Sequence, residues 1–292
     1  MHEYREEISE EFRESYLEDP YSVLEPDEEE CRRMVKVVKK FYKDHLDSSG
    51  MEGYVVGLSG GIDSSTIASL LVESVGSSNV YGVIMPAKHS RESDVEDAFR
   101  IAEKLGIDTN NPDRFRSRIE GIVDKLEELG HRTKNQEHQK IKRGNILARC
   151  RMITLRDIAK ARKSLVAGTT NASERDLGYM TLAADGKGGI DNEALYNVYK
   201  TTEKDLSEFL GIPQRIIDKN PSADLWEDQT DKDELKFSYD VLDRVLSGIK
   251  IGIDRSEIAE NVGEVSTDDV KGIEEMVKSA SFKRELAPHP EF

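Results

Sequence analysis

The run Ser59-Gly60-Gly61-Ile62-Asp63-Ser64-Ser65 holds much of what this chain could use for chemistry. Paired glycines let the backbone take positive φ and come close to a ligand. Successive main-chain N–H groups there, with the start of a following helix, form a concave nest for an anion. Ser59, Ser64 and Ser65 add hydroxyl donors. Such a set is a cradle for phosphate. Asp63 does not fit a bare phosphate site, because a carboxylate repels phosphate oxygens. Mg2+ bridging the two removes the conflict. The lysine of a GxxxxGKS/T loop is absent, and so is the GxGxxG spacing of a dinucleotide loop.

Chemistry of this kind needs a strand to end at the loop and a helix to start from it. "YVVGL" (54–58) reads as a buried strand and "DSSTIASLLVESV" (63–75) as the helix. "VYGVIM" (80–85) is a second strand, closed by Pro86. "SDVEDAFRIAEKLG" (93–106) is a capped helix with a glycine stop. Residues 116–130 are expected to be helical. Residues 137–162 are expected to form a long basic helix with a break at Gly144. "SLVAG" (164–168) is another strand. The alternation predicts an α/β fold, a doubly wound parallel sheet flanked by helices, with a helical C-terminal third. Ligands of such sheets bind beyond the carboxyl ends of the strands, where the glycine loop sits.

Residues 1–30 are dominated by Glu and Asp. Tyr4, Ile8, Phe12, Tyr16 and Leu17 fall near helical spacing, so this acidic extension is expected to carry an amphipathic helix. Pro26-Asp27 starts the next helix, with Met34, Val35, Val37, Val38, Phe41 and Tyr42 on its apolar face. Residues 31–292 contain no repeat or low-complexity linker and are expected to form a single domain.

Lys plus Arg number 42 and Asp plus Glu 58, a net charge of −16. That balance argues against nucleic acid as a partner, which would need a basic footprint. Cys31 and Cys150 form no metal or redox spacing and are expected to be reduced thiols. Apolar runs are too short to span a membrane, and the N-terminus lacks a signal pattern, so a cytoplasmic protein is expected.

"SGGIDSS" resembles the pyrophosphate-binding loop of the ATP pyrophosphatases, with their adenine nucleotide alpha hydrolase-like fold. Later motifs narrow the resemblance: "GNILARCRM" (144–152), "GTTNASE" (168–174), "LGY" (177–179), "DGKGGID" (185–191), "VYKT" (198–201), "LGIPQRIIDKNPSADLWEDQTDKDEL" (210–235) and "FKRELAP" (282–288). In order and spacing they resemble the ammonia-dependent NAD synthetases over about residues 30 to 290. The resemblance implies that the carboxylate of nicotinic acid adenine dinucleotide (deamido-NAD) attacks ATP, and that ammonia then displaces AMP. It places ATP on Gly57, Leu58, Ser59, Gly60, Gly61, Ile62, Asp63, Ser64, Thr169, Lys200 and Ser222. Asp63, Lys200 and Ser222 would be catalytic, and Asp63 and Glu174 would hold Mg2+. Arg149, Asp191 and Lys283 would contact deamido-NAD. It further implies a homodimer with the dinucleotide at the interface. The apolar residues Ile146, Leu147, Met152, Ile153 and Leu155 on the basic helix offer a face for one. Segment 219–235, polar and proline-containing, is expected to be a lid.

The chain departs from the family pattern on the side of the second substrate. Ala183-Ala184-Asp185 replaces a "YGD", two residues are inserted in "DGKGGID", Ala194 replaces a proline, Lys236 a glycine, and Phe282 a histidine. Lys187, in the insertion, is expected to supply a charge that some relatives place where this chain has Leu182. No glutaminase region is recognisable, so ammonia is expected to be the direct nitrogen source. Two other readings stay open: a paralogue that amidates a different carboxylate, and a nucleotide sensor without catalysis.

Overall fold

Strand β1 (Gly53–Gly57) is apolar because both its faces are covered. Tyr54 and Val56 enter one hydrophobic layer and Val55 the opposite one. The period of two that puts alternate side chains on opposite faces repeats further along the chain. In β4 (Ser164–Gly168), Leu165 and Ala167 join the first layer and Val166 the second. With β2 (Val80–Val83), β3 (Asp108–Thr109) and β5 (Asn192–Glu193), these strands make a five-stranded sheet in the order β3-β2-β1-β4-β5. Every pairing is parallel. The computed structural model describes residues 10–130, 133–186 and 188–285. Tyr4, Ile8, Lys187 and residues 286–288 of the last motif lie outside the described residues.

The helices are α1 (Glu10–Glu18), α2 (Glu28–Ser49), α3 (Ile62–Val75), α4 (Glu92–Leu105), α5 (Asp113–Leu129), α6 (Gln136–Ala161), α7 (Ala172–Leu177), α8 (Lys200–Phe209), α9 (Gln214–Ile217), α10 (Asp231–Leu235), α11 (Tyr239–Ile251), α12 (Arg255–Val262) and α13 (Thr267–Ser279). Side chains of α2, α3, α4 and α8 build the layer on one face of the sheet. Those of α6 build the other. The start of α2 is fixed by a reciprocal capping box between Asp27 and Glu30, as the Pro26-Asp27 pair suggested.

Helices α11, α12 and α13 form a separate apolar cluster with α7. The acidic N-terminal segment joins it. Tyr16 and Leu24 are buried there, and the Tyr16 hydroxyl donates to the Arg244 carbonyl at 2.7 Å. Gly248 makes room for that ring, since a Cβ there would lie 2.4 Å from the Tyr16 hydroxyl.

Two expectations need correction. Helix α6 runs unbroken through Gly144. One glycine inside a long helix costs about 1 kcal/mol relative to alanine, too little to break it. The apolar residues of α6 are also mostly used within the chain. Leu147 packs beside Ile119 and Val123 of α5, while Met152 and Leu155 face the sheet. Ile153 alone among the five is strongly exposed, at 67%. Other exposed apolar side chains lie nearby in sequence, Ile122, Leu126 and Leu129 on α5 and Ile141 on α6.

Candidate active site

The glycine loop leaves β1 at its carboxyl end and enters α3. Gly60 has φ +77, and a Cβ there would stand 2.1 Å from the Asp94 carbonyl oxygen. Only glycine satisfies both conditions. Hydroxyls brace the turn from within: Ser64 Oγ accepts from the Ser59 amide at 3.2 Å and lies 3.0 Å from Ser59 Oγ. Ser64 and Ser65 Oγ both donate to the Gly61 carbonyl. From outside, Lys219 Nζ donates to the Gly60 carbonyl at 2.9 Å and pairs with Asp94 and Asp97 at 2.7 and 2.5 Å.

Helix α7 begins after β4, beside this loop. Asn171 caps it in a box with Glu174, its Oδ1 accepting from the Glu174 amide at 3.0 Å. The same side chain turns its Nδ2 outward and donates to Asp63 Oδ1 at 2.8 Å. One asparagine thus ties the start of α7 to the start of α3. Lys200, the first residue of α8, completes the centre. It is 2% exposed and its ammonium pairs with Asp63. It lies 3.8 Å from Glu174 and 3.8 Å from Glu203.

Burial and charge set the protonation of this cluster. Burial pushes the Asp63 carboxyl up, but the Lys200 charge and the hydrogen bonds of Lys200 and Asn171 outweigh it and hold it below the usual carboxylate range. Burial, and then the negative Asp63, push Glu174 well above that range. Glu203 is raised for the same two reasons. Burial lowers Lys200, yet Asp63, Glu203 and Glu174 together raise it well above the normal lysine range. Asp63 and Lys200 are therefore a charged pair in a region otherwise hostile to more negative charge.

A cavity of about 260 Å3 opens above this cluster, at the ends of β1, β2 and β4. Gly57, Leu58, Ser59, Asp63, Ser64, Thr169, Glu174, Lys200 and Ser222 all line it. The structure thus brings around one cavity most of the residues that the resemblance assigns to ATP, and both that it assigns to Mg2+. Gly60 and Gly61 are in the loop and Ile62 begins α3, its side chain packing with Ile101, Ile212, Ile216 and Ile217.

Arg149, Asp191 and Lys283, which the resemblance assigns to deamido-NAD, are not in this wall. Arg149 is exposed and its Nε donates to the Leu182 carbonyl at 3.1 Å. Lys283 Nζ donates to the carbonyls of Gly178 and Met180 at 2.6 and 3.1 Å. Both cations grip the loop 178–182 that carries Tyr179 and Thr181 to the cavity. Burial lowers the Lys283 ammonium and the nearby Asp185 partly restores it. Both carboxylate oxygens of Asp191 accept from Arg156 Nη1 at 2.7 Å, and Oδ2 also accepts from the Val166 amide at 2.7 Å. Phe282 is 62% exposed.

Several wall residues lie in the motifs quoted above but have no contact assigned to them. Asp231 reaches the cavity from α10, held by the Tyr239 hydroxyl at 3.0 Å, and its Oδ1 is buried with no partner. Asp185, Arg151 and Asp224 also line it. Among the described residues no three His, Cys, Asp or Glu side chains converge as a cage for a metal. Asp63 and Glu174 are hard oxygen donors facing one cavity, with the unpartnered Asp231 oxygen on its wall. That set suits a Mg2+ that takes the rest of its ligands from phosphate and water.

Comparison with known proteins gives one consistent pattern. A family model described as NAD synthase matches residues 34–287. The NH3-dependent NAD+ synthetase of Thermococcus kodakarensis is 40% identical over 263 residues, 89% of this chain and 98% of that protein. That of Methanocaldococcus jannaschii is 37% identical over 265 residues, 90% and 98% of the two chains. Among solved structures, the NMN synthetase of Francisella tularensis superimposes with a TM-score of 0.74 at 29% identity, over 90% of this chain and 99% of that one. The NH3-dependent NAD synthetase of Campylobacter jejuni gives 0.71 at 24% identity, over 89% and 99%, a likeness of fold.

Proposed function

Because the chain belongs to the NAD synthase family, and acts as an ammonia-dependent ligase on deamido-NAD and ATP, we propose how its own residues divide that work. The observation that carries the proposal is the convergence of Asp63, Glu174 and Lys200 under a glycine loop at one end of a parallel sheet.

The loop amides and Ser59 and Ser64 hydroxyls hold the β and γ phosphates of ATP. Mg2+ held by Asp63 and Glu174 would draw charge from those phosphates and so ease the departure of pyrophosphate. Lys200 offers its ammonium to the same oxygens, and Ser222 and Thr169 add donors. The nicotinate carboxylate attacks the α-phosphorus, the bond to the bridging oxygen breaks, and pyrophosphate leaves with that electron pair. Ammonia then attacks the acyl carbon. AMP leaves and a proton is lost, giving the amide. Preorganised charge and orientation account for most of the acceleration in such a scheme.

Arg149, Asp191 and Lys283 act on deamido-NAD through the loops they brace and, for Arg149 and Lys283, by exchanging carbonyl partners for the substrate. The catalytic unit is residues 31–292 with the acidic segment packed on it, working in the cytoplasm as a homodimer. The exposed Ile122, Leu126, Leu129, Ile141 and Ile153 support an interface there, in place of the α6 residues that proved buried.

The test supplies ATP, Mg2+ and ammonia with either deamido-NAD or nicotinic acid mononucleotide, the smaller acid suggested by the fold likeness to an NMN synthetase. Release of AMP and pyrophosphate with NAD formation, dependent on the dinucleotide, is the expected result. Faster turnover of the mononucleotide would move the assignment to that acid.

A further inference from the structure

Segment 219–235 crosses the mouth of the cavity, where Pro221 to Leu225 line it. Its contacts with α6 fall on one stripe. The Lys140 ammonium stands 4.8 Å from the centre of the Trp226 ring. Gly144 lies one turn further on. The three atoms nearest to a Cβ built there all belong to the segment, beginning with Leu225 Cβ at 2.9 Å and Trp226 Cζ3 at 3.1 Å. Arg151, two turns beyond, donates through Nη2 to the Asp224 carboxylate at 2.9 Å and through Nη1 to the Asp224 carbonyl at 3.3 Å. Residues spaced by four and seven share a helix face.

The seat has a second side. Ser90, in the loop after β2, donates to the Asp224 carboxylate at 2.5 Å, and His89 Nε2 lies 3.2 Å from the Asp224 carbonyl. Asp224 itself has φ +48, an uncommon conformation for a residue other than glycine. Such a backbone persists when its surroundings over-determine it. Here α6 and the β2 loop grip the same residue from two directions.

We propose that this face of α6 is the seat on which segment 219–235 closes, with Gly144 and Arg151 as positioning residues that keep it shut over the acyl-adenylate. The proposal rests on the adenylation reading above. Alanine would be the favoured residue inside a helix. Gly144 is required by the closed segment, because a Leu225 Cβ is part of the chain's own frame and cannot swing aside as a side-chain tip can. With the seat blocked, water reaches the acyl carbon, restores the carboxylate and releases AMP without product.

The experiment measures AMP and NAD together for the wild-type chain and for Gly144→Ala and Asp224→Asn, with ATP, Mg2+, ammonia and deamido-NAD. Asp224→Asn keeps a residue that tolerates positive φ while removing the charge from Arg151, and carries the test if Gly144→Ala does not fold. Wild type is expected to make one AMP per NAD. Both variants are expected to raise that ratio severalfold. They should also expose residues 224–232 to protease in the presence of substrates. A one-to-one ratio with unchanged protease protection in the variants overturns the seat. Failure of the wild-type chain to make AMP from deamido-NAD at all overturns the adenylation reading instead.

Discussion

Asp243 is fully buried on α11, hydrogen-bonded to the neighbours of Glu174 and Lys200. Its carboxylate accepts from Ser173 Oγ at 2.5 Å, from the Thr201 amide at 2.8 Å and from Thr201 Oγ1 at 2.9 Å. Ser173 Oγ in turn accepts from the Lys200 amide at 2.9 Å. One carboxylate therefore joins the first turn of α7, which carries Glu174, to the start of α8, which carries Lys200. Burial outweighs these donors and pushes its carboxyl from the usual 3.8 up to about 6. The folded chain thus binds this proton more tightly than the unfolded chain. Its stabilising contribution is fully present below the unfolded value and is lost as pH rises through about 6. At about 1.36 kcal/mol per pH unit, a displacement of that size is worth roughly 3 kcal/mol. Asp243→Asn removes the titration and leaves the other carboxylates in place. Denaturant unfolding of wild type and variant from pH 4 to pH 8 should show the stability of wild type relative to the variant falling by about 2–3 kcal/mol as pH rises. A gap that is flat or widens with pH would mean that the three donors outweigh burial and keep Asp243 ionised, which would refute the reasoning.

Other outcomes follow from the same geometry. Lys200→Met leaves Asp63, Glu174 and Glu203 facing one another without a cation, and should cost about 3–5 kcal/mol of stability along with pyrophosphate release, since breaking a buried pair strands a charge; a stable, active variant in denaturation and product assays would remove the lysine from the centre. Lys219→Gln frees the Gly60 carbonyl and should raise the KM for ATP more than that for deamido-NAD; an effect confined to deamido-NAD would contradict the bracing of the loop. Lys283→Ala should do the reverse, because it releases the loop 178–180, and steady-state kinetics with each substrate varied in turn would expose an equal effect on both. With −16 per chain, two copies repel across roughly a 10 Å screening length at 0.1 M salt, so added salt should firm the dimer in sedimentation runs, and a monomer active at every salt concentration would count against it.

What could be read beforehand divides along sequence separation. The strand 54–58, its glycine loop and helix α3 were legible because each rests on neighbouring residues: a run buried on both faces, a turn needing positive φ, a helix start. β3 and β5 were not, because two-residue strands exist through their pairing partners rather than their own propensity. Gly144 misled for a related reason: its use is contact with Leu225 and Trp226, about eighty positions away along the chain, and local rules see only a weak helix former. The apolar period of α6 announced a buried face without saying that α5 and the sheet would cover it. Nothing local marks Asp231, Asp243 and Glu203 as buried, since residue type does not carry depth.

The centre of the site escapes this limit for a reason that lies in the sheet. Strands β1 and β4 are parallel neighbours, with Val56 in register with Ala167. Asp63 and Glu174 each lie seven positions past that pair (63 − 56 and 174 − 167), in the first turn of the helix that follows its strand. Equal offsets from a registered pair bring two carboxylates from separate strand-to-helix units to the same height above the sheet. Both arrive at helix N-termini, where the partial positive charge of the helix favours an acid. Lys200, at the start of α8, enters between them from a third element, so its position depends on packing that no register fixes. Ser173 and Asp243 do that fixing. The two carboxylates are thus placed by the sheet itself, and the lysine by a buried hydrogen-bond relay behind it.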